Sequence, residues 1–333
     1  MFGGGRDAFK IDINNVFKLT FTIKIMKKIL DQIRKHQELH AFLRQLYGKT
    51  FGLYWLKKFY GEKIGFFNGK KNIRISSLKT GEKLMYNLIR ANKPFMFGRY
   101  GSTEFRNLFY NELNNLCFYS GFFPEDRRLI KQFRKIYFES SKQLDILSVW
   151  NYKNQFFHKI SMLKKFPNIK ALVPLDVIGN SNHLWIKALK GKKVLVVHPF
   201  KATIEKQYKN TDKLKILPKL KSLEVIRAVQ TLAGEKDDRF ETWFDALGYM
   251  KKEIDKKDFD IVILGCGAYG FPLAAYAKLK GKQAIHLGGC TQLLFGIIGK
   301  RWKERDGEKK YWISPLDEDS FENAKKIEGG CYW

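Results

Sequence analysis

The sequence predicts an α/β fold: a mostly parallel sheet flanked by helices, preceded by a basic helical extension. Short apolar runs alternate with helix-like stretches from Phe95 to Leu287, the order that a parallel sheet with crossover helices requires. The clearest run, Lys193-Val-Leu-Val-Val197, is apolar without alternation, as a strand covered on both faces must be. Several runs end in glycine-bearing turns that lead into a helix, and open α/β sheets hold their ligands at such junctions.

Residues 1–25, with Gly3-Gly-Gly5 near the start, read as a flexible leader. Val16 to Met26 is apolar but contains Lys18 and Lys24, and no small-residue cleavage site follows, which argues against a signal peptide. Residues 26–74 read as a basic amphipathic helical extension. Up to Tyr60, Ile29, Ile33, Leu39, Leu43, Leu46 and Tyr47 recur mostly at three- and four-residue steps. Lys and Arg fill the other faces, and Tyr54, Trp55 and Phe59 lie beside Lys57 and Lys58. Such a stretch suits either a helical cap on the main domain or the surface of an anionic bilayer.

The main domain spans residues 75–302. Ser77 to Arg90 predicts a helix, and Pro94 then opens the apolar run Phe95-Met-Phe97. That run stops at Gly98-Arg99-Tyr-Gly101-Ser102-Thr-Glu104, after which Phe105 to Leu113 predicts a helix. A turn at Ser120-Gly121-Phe-Phe-Pro124 precedes a helix from Glu125 to about Lys142. Ile146 to Trp150 and Ala171-Leu-Val173 are strands, the second ending at Pro174-Leu-Asp176. Trp185 to Leu189 is helical, the Lys193 strand ends in His198-Pro-Phe-Lys201-Ala-Thr203, and Leu223 to Val229 is a further strand. Phe240 to Ile254 predicts an amphipathic helix with Trp243, Leu247 and Met250 inward.

The last part of the domain carries its densest signal. The strand Ile261 to Leu264 enters the turn Gly265-Cys-Gly267-Ala-Tyr-Gly270, and a helix follows to Leu279. A short strand, Ala284 to Leu287, then meets Gly288-Gly289 and another helix-like segment. Junctions so close in sequence predict strands side by side in the sheet. Residues 303–333 read as a tail packing on the domain, with a helix over Asp319 to Ile327.

Composition narrows the partners. With 62 Lys and Arg against 33 Asp and Glu, the formal charge of the 333 residues is +29. Such a balance attracts anions: nucleic acid, an acidic leaflet or phosphorylated substrates. The lysines are scattered and not gathered into one block, so a solvated basic surface is the competing account. Cys117, Cys266, Cys290 and Cys331 show no CxxC spacing, which argues against a zinc site or a disulfide framework. No run reaches the roughly 18 apolar residues of a spanning helix. The expected location is cytoplasmic, peripheral on the inner membrane face if the extension binds lipid.

The Gly265 to Gly270 turn matches GxGxxG in its proper strand–turn–helix setting, where backbone N–H groups approach a phosphate. A nicotinamide enzyme also wants Asp or Glu about 20 residues further on. The corresponding strand ends in His286-Leu-Gly-Gly, without a carboxylate, which disfavours NAD. His198 and His286 each close a strand at the ligand edge, as hydrogen-bonded structural residues or as phosphate contacts. Lys300-Arg301 either clamps a pyrophosphate or closes a helix C-terminus. Ser102, Thr103 and Glu104 suit helix capping as well as chemistry, whereas capping does not account for Arg99.

Two separated signatures, Arg99-Tyr-Gly101-Ser102-Thr-Glu104 and the glycine turn with Ala284-Ile-His286-Leu-Gly288-Gly289, resemble the GT-D-type bacterial glycosyltransferases over roughly Ile75 to Trp302. The resemblance implies a Rossmann-like domain that transfers a sugar from a nucleotide-sugar donor, a UDP-sugar first, to a hydroxyl of a glycan or lipid-linked glycan in surface-glycan assembly. The expected donor-binding residues, from the resemblance and from the strand ends together, are Arg99, Gly101, Ser102, His198, Lys201, Thr203, Gly265, Gly267, Ala268, Tyr269, Gly270, His286, Gly288, Gly289, Gln292, Lys300 and Arg301.

Glu104 is the expected base, with Asp176 the second candidate. In that family an Arg-x-Gly-Asp-x-Glu motif places an Asp-x-Glu pair on a divalent cation, Mn²⁺ or Mg²⁺. Here Ser102 replaces the Asp, leaving Glu104 as the one carboxylate for a metal. Two rivals come from other classes. A basic nucleic-acid-binding protein draws on the charge and the 15 % aromatic content, but no reading motif supports it. An NAD-linked oxidoreductase lacks its ribose acid.

Overall fold

The structure, a computed structural model, describes residues 65–68, 71–74, 76–109, 112–149, 168–178 and 183–333. All belong to one unit, Lys63–Trp333. The leader 1–25 and the helical pattern of the extension up to Tyr60 lie outside the described residues. The end of the extension is not helical: β1 (Gly65–Asn68) and β2 (Lys71–Arg74) pair antiparallel.

Seven strands build the main sheet. They are β3 (Phe95–Arg99), β4 (Ile146–Val149), β5 (Ala171–Pro174), β6 (Lys193–His198), β7 (Ser222–Arg227), β8 (Ile261–Leu264) and β9 (Gln283–His286). Their order is β5-β4-β3-β9-β8-β6-β7, with every neighbouring pair parallel. The helices are α1 (Leu78–Arg90), α2 (Ser102–Phe109), α3 (Leu113–Ser120), α4 (Ile130–Ser141), α5 (Lys201–Tyr208), α6 (Thr211–Leu214), α7 (Trp243–Asp255), α8 (Gly270–Leu279) and α9 (Lys300–Asp306). Helices flank the sheet, so its central strands are apolar on both faces. Leu195, Val196, Val197 and all four residues of β8 are fully buried. The architecture is compatible with a Rossmann-like fold.

Local signals account for most helix boundaries. Ser77 caps α1 by accepting from the Thr80 N–H at 3.2 Å, and Thr242 with Asp245 forms a capping box on α7. The single helix expected from Phe105 to Leu113 is two, because Asn107 closes a bend between them. Its carboxamide donates to the Glu112 carbonyl at 3.0 Å and accepts from the Glu112 N–H at 3.1 Å. The segments after Gly288 and around Trp185 are 3₁₀ rather than α. The tail helix expected over Asp319–Ile327 is two short 3₁₀ turns, Asp317–Asp319 and Ala324–Lys326.

The order of the sheet puts β3, β9 and β8 side by side, so their three glycine junctions share one carboxyl edge. Aromatic packing under that edge joins them. Tyr100, next to Arg99, stacks on Phe271 at 4.7 Å between centroids, and Tyr137 stacks on the same ring at 5.5 Å. Tyr269 stacks on Trp243 at 5.2 Å. Stacked aromatic pairs contribute about 0.5–1.5 kcal/mol each beyond their burial, so the turns rest on a rigid base.

The tail closes over one side of the same edge. Its buried Asp319 accepts from the Thr203 N–H and hydroxyl, both at 2.6 Å, and from Arg227 at 3.0 Å. Trp333 packs edge-on against Phe200 at 5.4 Å, and the Tyr332 ring lies against the backbone of Gly289.

Candidate functional site

A cleft of about 450 Å³ opens at the carboxyl edge of the sheet. β3 contributes Arg99 and the Gly101–Glu104 turn, β8 contributes Gly265–Gly267, and β9 contributes His286 and Gly288–Cys290. Residues 175 and 199 border it, as do Val229–Leu232 after β7, Tyr119–Gly121 at the end of α3, and Arg301 and Tyr332 near the tail.

Arg99 is the cationic centre. Its guanidinium lies directly over Gly288, where a Cβ would overlap Nη2 and Nε. Gly288 also holds φ at +61°, a conformation that other L-residues adopt at a cost. Arg99 Nε is buried yet finds no acceptor in the protein. Buried donors are almost always paired, so this one is open to an acceptor in the cleft.

Glu104 stands beside it. Its carboxyl folds back over Gly101 so closely that any Cβ there would overlap an Oε, which is the physical reason for that glycine. Burial pushes the carboxyl above its ordinary range of 4.5, opposed by a backbone N–H, the Arg99 charge and a hydrogen bond from Ser120. A cation and a high-pKa acid therefore occupy one junction.

The glycine turn of β8 is shaped by its neighbours. A Cβ at Gly265 would meet Thr291 Oγ1 at 2.5 Å, the Gly288 carbonyl at 2.6 Å and the His198 ring at 2.7 Å. Gly267, at φ +54°, lets the Ser120 carbonyl approach. Ala268 and Gly270 lie beneath the cleft: the Ala268 carbonyl accepts from Tyr137 at 2.7 Å, and Gly270 faces His286. Tyr269 points inward, its hydroxyl 3.3 Å from Thr231.

Both histidines serve the scaffold. The Phe200 N–H donates to His198 Nδ1 at 3.0 Å, so Nε2 carries the proton. His286 Nδ1 donates to the Arg99 carbonyl at 3.1 Å, fixing the opposite tautomer and the course of the chain at Arg99. Burial pushes both down to about 3. An unfolded chain therefore binds protons between about pH 6.5 and pH 3 that the folded one refuses. The stability they contribute is present above pH 6.5 and lost as pH falls. The denaturation midpoint should drop steadily from about pH 6.5 to pH 4, with a shallower drop in His198→Gln; a flat profile contradicts the assignment.

Several expected ligand contacts lie elsewhere. Lys201 and Thr203, expected as phosphate contacts, lie at the start of α5, where Asp319 of the tail takes the Thr203 N–H and hydroxyl. Lys201 pairs with Glu205 at 3.8 Å, and Lys300 with Glu304 at 3.9 Å, both outside the cleft. Gln292 spends its amide on the Ile297 and Tyr332 carbonyls at 3.4 and 3.2 Å. Gly289 supports the Tyr332 ring. Arg301 does reach the cleft, but it is paired with Glu328 and sits 5.1 Å over the Tyr332 ring. Asp176 follows β5 in a 3₁₀ turn, and its side chain lies outside the described residues.

Among the described residues no group of three or more His, Cys, Asp or Glu converges as a metal site. Ser102 with a single buried carboxyl, whose charged form is disfavoured, is a poor donor set for a hard cation. All four cysteines are free. Burial pushes the Cys266 and Cys290 thiols up, so neither is a ready nucleophile.

Sequence reasoning missed several cleft residues, Gln230 among them. Gln230 lies three residues past β7, and its Nε2 is the second buried donor there without a partner. Its place just past the C-terminal end of a parallel strand is the signal that could have found it. No protein-family model matches the chain, and a comparison with curated proteins finds no relative.

Proposed function

We propose that the protein is a glycosyltransferase of the GT-D type, moving a sugar from a nucleotide-sugar donor to an acceptor hydroxyl in bacterial surface-glycan assembly. The observation that carries the reading is the unpartnered Arg99 Nε beside Glu104, in a cleft at the carboxyl edge of a parallel sheet. A diphosphate brings the acceptor oxygens Arg99 lacks, and guanidinium binds such oxygens in charge-assisted pairs. The end of β9, where a nicotinamide enzyme would carry its ribose acid, bears His286.

In the proposed reaction the acceptor oxygen forms a bond to the anomeric carbon. The bond from that carbon to the diphosphate oxygen breaks, and its electron pair stays with the diphosphate. Glu104 takes the acceptor proton. A carboxyl held above its ordinary range is a stronger base near neutrality than a free one. Arg99 offsets the charge that develops on the departing diphosphate. No step is assigned to a metal, because the donor set does not suit one. The acceptor is a glycan or a lipid-linked glycan. Among the described residues no helix is long and apolar enough to cross a membrane, and the basic extension is the part of the chain suited to an anionic surface.

A thermal-shift panel of UDP-, GDP-, CMP- and dTDP-sugars, with Mn²⁺ or with EDTA, tests the reading. At least one donor should stabilise the protein, and EDTA should leave that shift unchanged. Absence of any shift removes the proposal; a shift only with Mn²⁺ restores the cation.

A further inference from the structure

The cleft is not uniform along the sheet edge. At β3 and β9 it is charged, with Arg99 near Glu104 and Arg301 paired with Glu328, beside Gly288 and Gly289. At β7 it is lined by Val229, Gln230, Thr231 and Leu232, facing Tyr119 and Gly121 at the end of α3, and none of these carries charge. The loop is held there: Thr231 Oγ1 donates to the Gly121 carbonyl at 2.7 Å. Gln230 Nε2 is buried without a partner, and an unpaired buried donor favours the arrival of an acceptor. Tyr119, 41 % exposed, offers an aromatic surface at the same end.

An apolar floor of Val229 and Leu232, an aromatic wall and a single fixed amide donor suit a flat group with apolar faces and a polar rim. A sugar, hydroxylated on all sides, would set its hydroxyls against the two aliphatic side chains. We infer that this neutral end takes the nucleobase of the donor, and that Gln230 reads it by donating from Nε2 to a base carbonyl oxygen. The inference rests on the nucleotide-sugar reading above. Uracil, cytosine, thymine and guanine carry such an oxygen; adenine carries none on its rim. With the base at β7 and the diphosphate at Arg99, the ligand crosses the ends of β6, β8 and β9, over the turn that Gly265 and Gly267 keep low.

Binding of UDP, GDP, ADP and inorganic pyrophosphate to the full chain, by titration calorimetry, tests the inference. UDP or GDP should bind about tenfold tighter than ADP, the worth of one well-made hydrogen bond. Gln230→Leu, of similar volume, should remove most of that preference while leaving pyrophosphate affinity within about twofold. Gln230→Glu, which puts an acceptor in place of the donor, should weaken UDP more than ADP and covers the case in which the leucine variant misfolds. A base preference that survives both substitutions overturns the inference and leaves the glycosyltransferase reading standing. If neither the nucleotides nor pyrophosphate bind the wild type, both readings fall together.

Discussion

Glu104→Gln is expected to lower glycosyl transfer by about 10²–10⁴-fold, the usual worth of a positioned general base, without loss of donor binding. The amide keeps the shape that Gly101 accommodates and can still accept from Ser120, but it cannot take a proton. The wild-type rate should fall on the acid side of a midpoint above pH 4.5, because burial holds the carboxyl above that value. That limb should vanish in the variant. Stability responds in the opposite sense. A carboxyl with a raised folded-state pKa favours the folded protein while protonated, so its contribution is present at low pH and lost as pH rises through its folded value. The glutamine variant should therefore lose less stability than wild type as pH is raised. Full turnover in Glu104→Gln removes Glu104 from the chemistry; lost turnover with lost donor binding reassigns it to the scaffold.

Gly265→Ala should be the most damaging single-methyl change near the cleft. The added carbon would meet a buried threonine oxygen, a backbone carbonyl and a buried imidazole, all within 2.7 Å. None is the free end of a flexible chain, so β6, β8 and β9 would have to separate at their carboxyl ends. Overpacking of this kind costs about 1–3 kcal/mol, a fall in melting temperature of roughly 1–5 °C for a chain of this size. Donor binding should fail with it. Gly248→Ala is the control: it lies within α7 with open space around it. Alanine there should stabilise by about 0.5–1 kcal/mol, because glycine loses more backbone freedom in a helix. Equal melting temperatures for the two variants would mean that the Gly265 turn can relax.

The strands of the sheet were legible because each is a local event. Val194 to Val197 and Ile261 to Leu264 are apolar without interruption, and no other element with two covered faces is so short. The turn glycines were legible for the same reason, since the chain must bend sharply where such a run meets a helix. Their purpose was read less well. Gly289, which borders the cleft, also receives Tyr332, more than forty residues later in the chain. Thr203 looked like an anion ligand at a helix start, and the anion it meets is Asp319, 116 residues away in sequence. A helix N-terminus wants a negative partner, but nothing local says whether the partner is a ligand or the protein's own tail.

By itself, then, the sequence determined the class of fold, the position of its strands and the charged junction at Arg99 and Glu104. Hydrophobic burial and backbone geometry act over a few residues and leave a local record. Tertiary structure alone decided that β3, β9 and β8 stand together, that Asp319 occupies the α5 terminus, and that Arg99 and Gln230 keep unpartnered donors in one cleft. Whether a buried polar group is satisfied depends on atoms that only folding brings within three ångströms, and no run of neighbouring residues encodes it.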